Sequence, residues 1–233
     1  MENSINHDGA SQAGSHPRGV IFDLDGTLAD TLASIASAVN TCLARLGRKE
    51  IPVDDYRYLV GDGLRPLCAR VLRDARGEAS DGAVDRLESD VKDHYSRHLL
   101  DHVALYDGIL ELLARLAEGG VRLAVCSNKP DRHTRLLVEA LIPSGTFGAV
   151  LGARDDLPRK PDPAPALRVA RAIDVAPSDC LFVGDTSIDM ETARRAGMVP
   201  VGVSWGFRPR EELESAGALH IVDRPEKIAA LIG

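Results

Sequence analysis

The sequence predicts an α/β fold in which a doubly wound parallel sheet carries an inserted helical segment. Short apolar runs alternate with helical patterns, which is the order of elements in such a sheet. The runs also lack the polar-apolar alternation of a half-exposed strand, so they are typical of strands that helices cover on both faces. One long interval shows helical patterns only, and this interval predicts the insertion.

Five apolar runs are the predicted strands. They are GVIF (19–22), RLAVCS (122–127), GAVLG (148–152), CLFVGD (180–185) and VPVGVS (199–204). Helical segments separate them: the segment at 108–120 carries one apolar stripe and stops at two glycines, and the segment at 188–197 also ends at a glycine. This order indicates a Rossmann-like core.

The same patterns divide the chain into three regions. Residues 1–17 are polar and lack large apolar side chains, so we expect a disordered tail. Residues 32–100 show helical stripes but no convincing strand, and we interpret them as a helical cap. The α/β core then comprises residues 18–31 together with 101–233.

The composition excludes several classes of protein. A net charge of −7 and an aromatic content of 4% do not favour nucleic acid as a partner, because its phosphate backbone calls for a basic surface. No apolar run approaches the roughly 18 residues of a membrane span, and no leader pattern begins the chain, so we predict a cytoplasmic protein with no membrane partner. The four cysteines are widely spaced and are expected to be reduced and mostly buried. The sequence carries no signal for an oligomeric state.

Polar residues follow the predicted strands where each strand ends. They are Asp23, Ser127, Asn128, Lys160, Asp185 and, four residues further on, Asp189. Ligands of an open parallel sheet bind beyond the carboxyl ends of its strands, so we expect these groups to converge there. Each of these residues alone is typical of an ordinary turn. Four independent turns that place chemically matched polar groups at the ends of neighbouring strands indicate a functional site.

The residue types at this edge favour phosphoryl transfer. Several carboxylates held together need a hard cation, and Mg²⁺ prefers oxygen ligands while retaining substrate phosphate in its shell. One aspartate could then serve as the nucleophile, since its ordinary pKa of about 3.9 keeps it ionised at neutral pH. Lys160 and Ser127 are candidates to hold phosphate oxygens.

Four motifs in this order resemble the haloacid dehalogenase-like superfamily of hydrolases. FDLDGTLADT resembles its first motif, VCSNK its second, the lysine of RKPDP its third, and VGDTSIDM its fourth. The resemblance covers roughly residues 18–223, and the helical interval lies where the family has a helical cap. The second acid of the first motif, Asp25, is typical of the phosphatases and phosphomutases of the superfamily and is lacking in its dehalogenases.

The resemblance implies a role for each motif residue. Asp23 would attack phosphorus, and Asp25 would protonate the leaving group and then activate water. Mg²⁺ would be held by the side chains of Asp23 and Asp185 and by the backbone carbonyl of Asp25, with Asp189 beside them. Ser127, Asn128 and Lys160 would bind the transferring phosphoryl group. A small phosphorylated metabolite is the implied partner.

Within the superfamily the cap segment looks most like the phosphoglycolate phosphatases, so 2-phosphoglycolate is the substrate we expect. The loop from Gly61 to Arg65 resembles a cap loop that reaches the active site, where Arg65 could meet a substrate carboxylate. Three alternatives stay open: a phosphatase for another small phosphate or pyrophosphate, a sugar phosphomutase with the same core, and a non-catalytic binding protein on this fold.

Overall fold

A computed structural model describes residues 17–74 and 79–232 of the chain. Its main sheet has six parallel strands in the order β5-β4-β1-β6-β7-β8. Their bounds are β1 Gly19–Phe22, β4 Arg122–Pro130, β5 Ala149–Ala153, β6 Cys180–Gly184, β7 Val199–Val203 and β8 His220–Val222. Two further short strands, β2 Ala29–Asp30 and β3 Ala104–Leu105, pair antiparallel with each other. The predicted doubly wound α/β fold is confirmed.

Helices cover both faces of this sheet. They are α4 Ile109–Glu118, α5 Asp131–Leu141, α6 Ala164–Ala172, α7 Ser187–Ala196, α8 Arg210–Ser215 and α9 Glu226–Ala229, with a 3-10 turn at Pro177–Asp179. Strand β1 shows why its run is wholly apolar. Val20 and Phe22 belong to one buried cluster, whereas Ile21 belongs to a second cluster on the other face. Because both faces of the strand are buried, no position in it favours a polar side chain.

The described part of the interval 32–100 is helical. Its elements are α1 Leu32–Arg45, a 3-10 helix Val53–Tyr58, α2 Leu64–Asp74 and α3 Asp81–Arg97. Helix α3 packs against both α1 and α2. Leu87 and Val91 of α3 are buried, as are Ala36, Val39 and Leu43 of α1. They belong to the same buried cluster as Val20 and Phe22 of β1. We use the name cap for the helical segment 32–100; its division from the core at these bounds stays a proposal.

Several boundaries differ from the sequence prediction. Strand β4 continues to Pro130, beyond the predicted end at residue 127, so that Asn128 and Lys129 lie within it. Strand β8 and the β2-β3 pair were not predicted, because segments of two or three residues carry no periodicity to recognise. The predicted tail, residues 1–17, lies outside the described residues except for Pro17.

Candidate active site

Two aspartates meet because their strands are neighbours. Strands β1 and β6 pair in register with Phe22 beside Val183, and the Asp23 amide N–H donates to the Val183 carbonyl at 2.9 Å. Asp23 therefore follows β1 at the level where Asp185 follows β6. Both carboxylates lie at the carboxyl edge of the sheet, at the centre of the strand order, where α/β folds bind ligands.

Asp23 is held through one of its two oxygens. Its Oδ1 accepts a hydrogen bond from the Leu24 amide at 2.7 Å and lies 3.1 Å from the Lys160 ammonium. These contacts orient the carboxylate and leave Oδ2 for a substrate. The residue is only 8% exposed, and burial raises the pKa of its carboxyl to about 6, against the opposing effect of Lys160.

Asp189 owes its position to the start of α7. Thr186 and Asp189 form a capping box, in which the Asp189 Oδ2 accepts from the Thr186 amide at 3.1 Å and from its hydroxyl at 2.7 Å. The other oxygen, Oδ1, accepts from the Lys160 ammonium at 2.7 Å. Lys160 thus bridges Asp23 and Asp189. Burial opposes its charge, but the two carboxylates raise the pKa of Lys160 above its ordinary value.

Asp185 is fully buried and receives two donors. The Thr27 hydroxyl donates to its Oδ1 at 3.0 Å, and the Phe207 amide donates to its Oδ2 at 2.8 Å. The loop after β7 reaches this carboxylate because residue 206 is glycine: a Cβ there would collide with the Asp185 side chain and the Gly26 carbonyl. Burial, and then the charges of Asp189 and Asp23, raise the pKa of Asp185 well above its ordinary value.

The donor set fits a divalent cation. Oxygens of Asp23, Asp185 and Asp189 lie within 4.8 Å of one another, and all three residues are buried. Lys160 supplies one positive charge against these three negative charges, so two negative charges have no partner in the cluster. Oxygen ligands and a charge of this size suit Mg²⁺. The raised pKa values of Asp23 and Asp185 have the same physical cause, which is buried charge that a bound cation would stabilise.

Asp25 lies beside this cluster and has its own partners. Its carboxylate accepts from the Lys129 ammonium at 3.0 and 3.2 Å and from the Thr31 hydroxyl at 2.7 Å. Sequence reasoning did not assign a role to Lys129, although it belongs to the second motif and follows Asn128 at a strand end. Burial opposes the charge of Lys129, but Asp25 raises the pKa of this ammonium above its ordinary value.

The second and third motifs are joined by the amide of Asn128. Its Oδ1 accepts from the Lys160 amide at 2.9 Å, and its Nδ2 donates to the Lys160 carbonyl at 3.0 Å and to the Gly61 carbonyl at 3.2 Å. The side-chain amide is therefore engaged with backbone of the core and the cap. Ser127 is buried beside it, and its hydroxyl accepts from the Lys129 amide at 3.3 Å.

A cavity between cap and core opens onto these groups. Asp23, Asp25, Ser127 and Lys129 line its core side, and the cap contributes Gly61, Gly63 and apolar side chains such as Ile35 and Val91. The cap is held closed over it by polar contacts. Arg57 donates to the Gly206 carbonyl at 3.1 Å, Arg208 donates to the Val60 carbonyl at 2.8 Å, and Ser96 lies 2.7 Å from the His133 Nε2.

Arg65 is a predicted site residue that lies away from both the cavity lining and the aspartate cluster. Its guanidinium instead pairs with carboxylates of α3, which are Asp81, Asp85 and Glu88. These acids lie on one face of α3. Because α3 packs against α2, they are nearer to the half-exposed Arg65 side chain than the core is. Gly61 does border the cavity, as the predicted cap loop requires.

The comparisons with known proteins agree with this geometry. A family model described as haloacid dehalogenase-like hydrolase matches residues 20–203. The chain belongs to this family. A phosphoglycolate phosphatase of Rhodospirillum rubrum is 36% identical over 212 residues, which cover 89% of this chain and 87% of that protein. A phosphoglycolate phosphatase of Psychrobacter arcticus is 32% identical, with 88% and 90% covered.

Among solved structures, a protein assigned as a phosphoglycolate phosphatase from Lactobacillus delbrueckii superposes with a TM-score of 0.88. It is 32% identical, and the match covers 94% of this chain and 99% of that one. The expected subgroup of the haloacid dehalogenase-like hydrolases is thus confirmed, as is the expected class of enzyme, a phosphoric monoester hydrolase.

Two findings concern the rest of the molecule. The four cysteines, Cys42, Cys68, Cys126 and Cys180, are free and buried. Among the helices in the described ranges, none is long and apolar enough to cross a membrane.

Proposed function

We propose that this enzyme is a Mg²⁺-dependent phosphatase that hydrolyses a small phosphate monoester, 2-phosphoglycolate in our best assignment, through an aspartyl-phosphate intermediate. The observation that carries the proposal is the buried cluster of three carboxylates and one ammonium that reaches the cavity through Asp23. Its two unpaired negative charges call for a divalent cation. When bound, Mg²⁺ would be held by Asp23, Asp185 and the Asp25 carbonyl, and would offset charge on the phosphoryl oxygens.

In the first step the Asp23 Oδ2 attacks phosphorus while the bond from phosphorus to the leaving oxygen breaks. Asp25 donates the proton that the leaving oxygen takes up, so the alcohol departs neutral. Leu24 and Lys160 keep the nucleophile oriented through its other oxygen. The orientation matters because a positioned nucleophile avoids most of the entropy cost of a bimolecular encounter.

In the second step water attacks the phosphoryl group of the aspartyl-phosphate. Asp25, now ionised, takes the proton of that water, and the bond from phosphorus to Asp23 breaks to return the carboxylate. Ser127 and Lys160 are the proposed partners of the phosphoryl oxygens, because the Lys160 ammonium lies 3.1 Å from Asp23 and the buried Ser127 lines the same cavity as Asp23. Asn128 contributes by holding the Lys160 segment and the cap loop in place.

The size of the cavity supports a small substrate. Its volume is about 80 Å³, which is small beside the roughly 300–1,000 Å³ of pockets for larger ligands. This suits a phosphorylated two-carbon acid better than the sugar bisphosphate that a phosphomutase must enclose. The names of the curated relatives support the same choice. The buried free cysteines suit the reducing cytoplasm, where we propose that the enzyme works.

The test is phosphate release from 2-phosphoglycolate, pyrophosphate and several sugar phosphates, each with Mg²⁺ and with EDTA. We expect a preference for 2-phosphoglycolate that needs Mg²⁺ and is lost by at least 10³-fold in Asp23→Asn. Asp223→Asn is the matched control, because the ion pairs of that carboxylate lie on the surface. Sugar-selective release would discard the substrate, and conversion of a sugar phosphate without release would favour the mutase.

A further inference from the structure

The ammonium of Lys129 is a buried cation at the cavity wall. Its side chain is 4% exposed, and two of its contacts go to the two oxygens of Asp25. A lysine ammonium has three N–H donors. Asp25 accepts from this ammonium through both oxygens, and Tyr95 of the cap also interacts with it, so Lys129 links Asp25 to the cap side of the cavity.

Tyr95 of the cap brings a second polar group to the same place. The residue is 6% exposed and lines the cavity, and its hydroxyl has no hydrogen-bond partner within the described part of the chain. Its ring lies 4.7 Å from the Lys129 ammonium. A buried hydroxyl without a partner is rare in folded proteins, and this one belongs to a residue of the cavity wall, where a polar group of a ligand would give it a partner.

The neighbouring histidine does not compete for this role. His133 lies 2.7 Å from the Ser96 hydroxyl through Nε2. Burial, together with the nearby charge of Lys129, lowers the pKa of His133 to about 4, so the ring is neutral at neutral pH. Lys92 also lines the cavity, but it is exposed to solvent. Lys129 is therefore the buried positive charge on this side of Asp25.

We propose that Lys129 and Tyr95 form a subsite for an anionic group on the leaving alcohol, so that they select phosphate esters of short hydroxy acids. This inference rests on the phosphatase function proposed above. The leaving oxygen must come within hydrogen-bond distance of Asp25 to receive its proton, and the Lys129 ammonium is 3.0 Å from that carboxylate. A carboxylate one carbon away from the leaving oxygen thus comes close to the Lys129 ammonium and to Tyr95 beside it.

The cap side of the cavity limits what else fits. Ile35, Leu64 and Val91 are apolar and offer no partner to a longer polar chain. An ester with an uncharged leaving group would offer neither an anion to Lys129 beyond Asp25 nor an acceptor to the Tyr95 hydroxyl, and a site built to bind such a group rejects analogues that lack it. The alternative is that Lys129 only neutralises Asp25, and in that case every substrate depends on it equally.

The experiment compares 2-phosphoglycolate with ethyl phosphate, which has the same two-carbon length and no carboxylate. We expect the full-length enzyme with Mg²⁺ to favour 2-phosphoglycolate by at least 100-fold in kcat/KM. Lys129→Met should lower this ratio at least 10-fold, which corresponds to about 1.4 kcal/mol of discrimination, and Tyr95→Phe should lower it about 5-fold. Lys92→Met is the matched control and should change the ratio less than 2-fold.

Equal losses for both esters in Lys129→Met, with an unchanged ratio in Tyr95→Phe, would overturn the inference and leave the phosphatase intact. A ratio that falls in Lys92→Met instead would overturn it as well. If Lys129→Met does not fold, as circular dichroism would show, Tyr95→Phe decides the question alone.

A binding measurement separates this inference from the proposed function. Calorimetry with Mg²⁺ compares the Asp23→Asn variant with the double variant that also carries Lys129→Met. The second substitution should raise the dissociation constant of 2-phosphoglycolate at least 10-fold and that of ethyl phosphate less than 3-fold. If the natural sequence releases no phosphate from either ester, the phosphatase proposal is wrong. The difference in binding between the two variants would still support the subsite in that case. Equal binding in the two variants would overturn the subsite.

Discussion

The buried carboxyl of Asp23 should destabilise the metal-free enzyme at neutral pH. Its pKa rises from an ordinary value of 3.8 to about 6 in the folded state, because burial removes water from the charged form. Below pH 4 the carboxyl is protonated in both the folded and the unfolded chain, so the shift has no effect on stability. Between pH 4 and 6 the folded state binds more protons, and the free energy of unfolding falls as pH rises.

The magnitude follows from the difference between these two pKa values. At about 1.36 kcal/mol for each pH unit, the rise from 3.8 to about 6 corresponds to roughly 3 kcal/mol of lost stability above pH 6. Asp23→Asn removes the charge and keeps an oxygen that can accept from Leu24. We therefore expect this inactive variant to be more stable than the natural sequence, by up to about 3 kcal/mol at pH 7.5 in EDTA.

The assay is urea unfolding of both proteins in EDTA at pH 4, 5, 6 and 7.5. The stability difference should be near zero at pH 4, grow through pH 5 and 6, and then level off. Mg²⁺ at about 1,000 times its dissociation constant should reverse the order at pH 7.5, because it would stabilise the folded natural sequence by about 4.1 kcal/mol, more than the deficit. A variant that is less stable at every pH by the same amount would refute this reasoning, because Lys160 would then stabilise the charge more than burial opposes it.

Three further substitutions test the surroundings of the site. Gly206→Ala should lower phosphatase activity at least 10-fold and cost about 1–3 kcal/mol of stability, because its Cβ would collide with Asp185 and Gly26. Gly82→Ala is the control, since a Cβ has open space there. Equal effects of the two substitutions would contradict the close approach at Gly206. Thr27→Val removes the donor to Asp185 and should raise the Mg²⁺ concentration needed for half-maximal phosphate release by about 10-fold or more. An unchanged Mg²⁺ titration would show that this hydroxyl does not support Asp185 as a metal ligand. Arg65→Ala should leave KM for 2-phosphoglycolate within about 2-fold, as expected of a surface ion pair; a 10-fold rise would restore the substrate role that the sequence suggested.

Four short motifs were enough to predict which side chains lie close together at the ends of the strands. Asp23, Ser127, Lys160 and Asp185 follow predicted strands, and parallel strands bring their carboxyl ends to one edge whatever the rest of the chain does. Local rules also place Asp189, since a threonine and an aspartate three residues apart form the capping box of α7.

Other features depend on contacts between distant segments. The pairing of Lys129 with Asp25 joins residues that are 104 positions apart, and the donation from Phe207 to Asp185 joins a loop to a strand end through the absence of a side chain at Gly206. Arg65 shows the reverse case. Its place in the cap loop suggested a substrate contact, but α3 packs against α2 and presents three carboxylates nearer to it.

By itself the sequence determined the α/β class, the helical nature of the described cap segment and the chemistry at the strand ends, because periodicity and strand-end position are local properties of the chain. Only the tertiary structure decided which charges are paired and which remain available. Lys160 is shared by Asp23 and Asp189, Lys129 reaches Asp25, and the Tyr95 hydroxyl has no partner within the described residues. Burial and distance set these pairings, and both depend on contacts between segments that are far apart in the sequence.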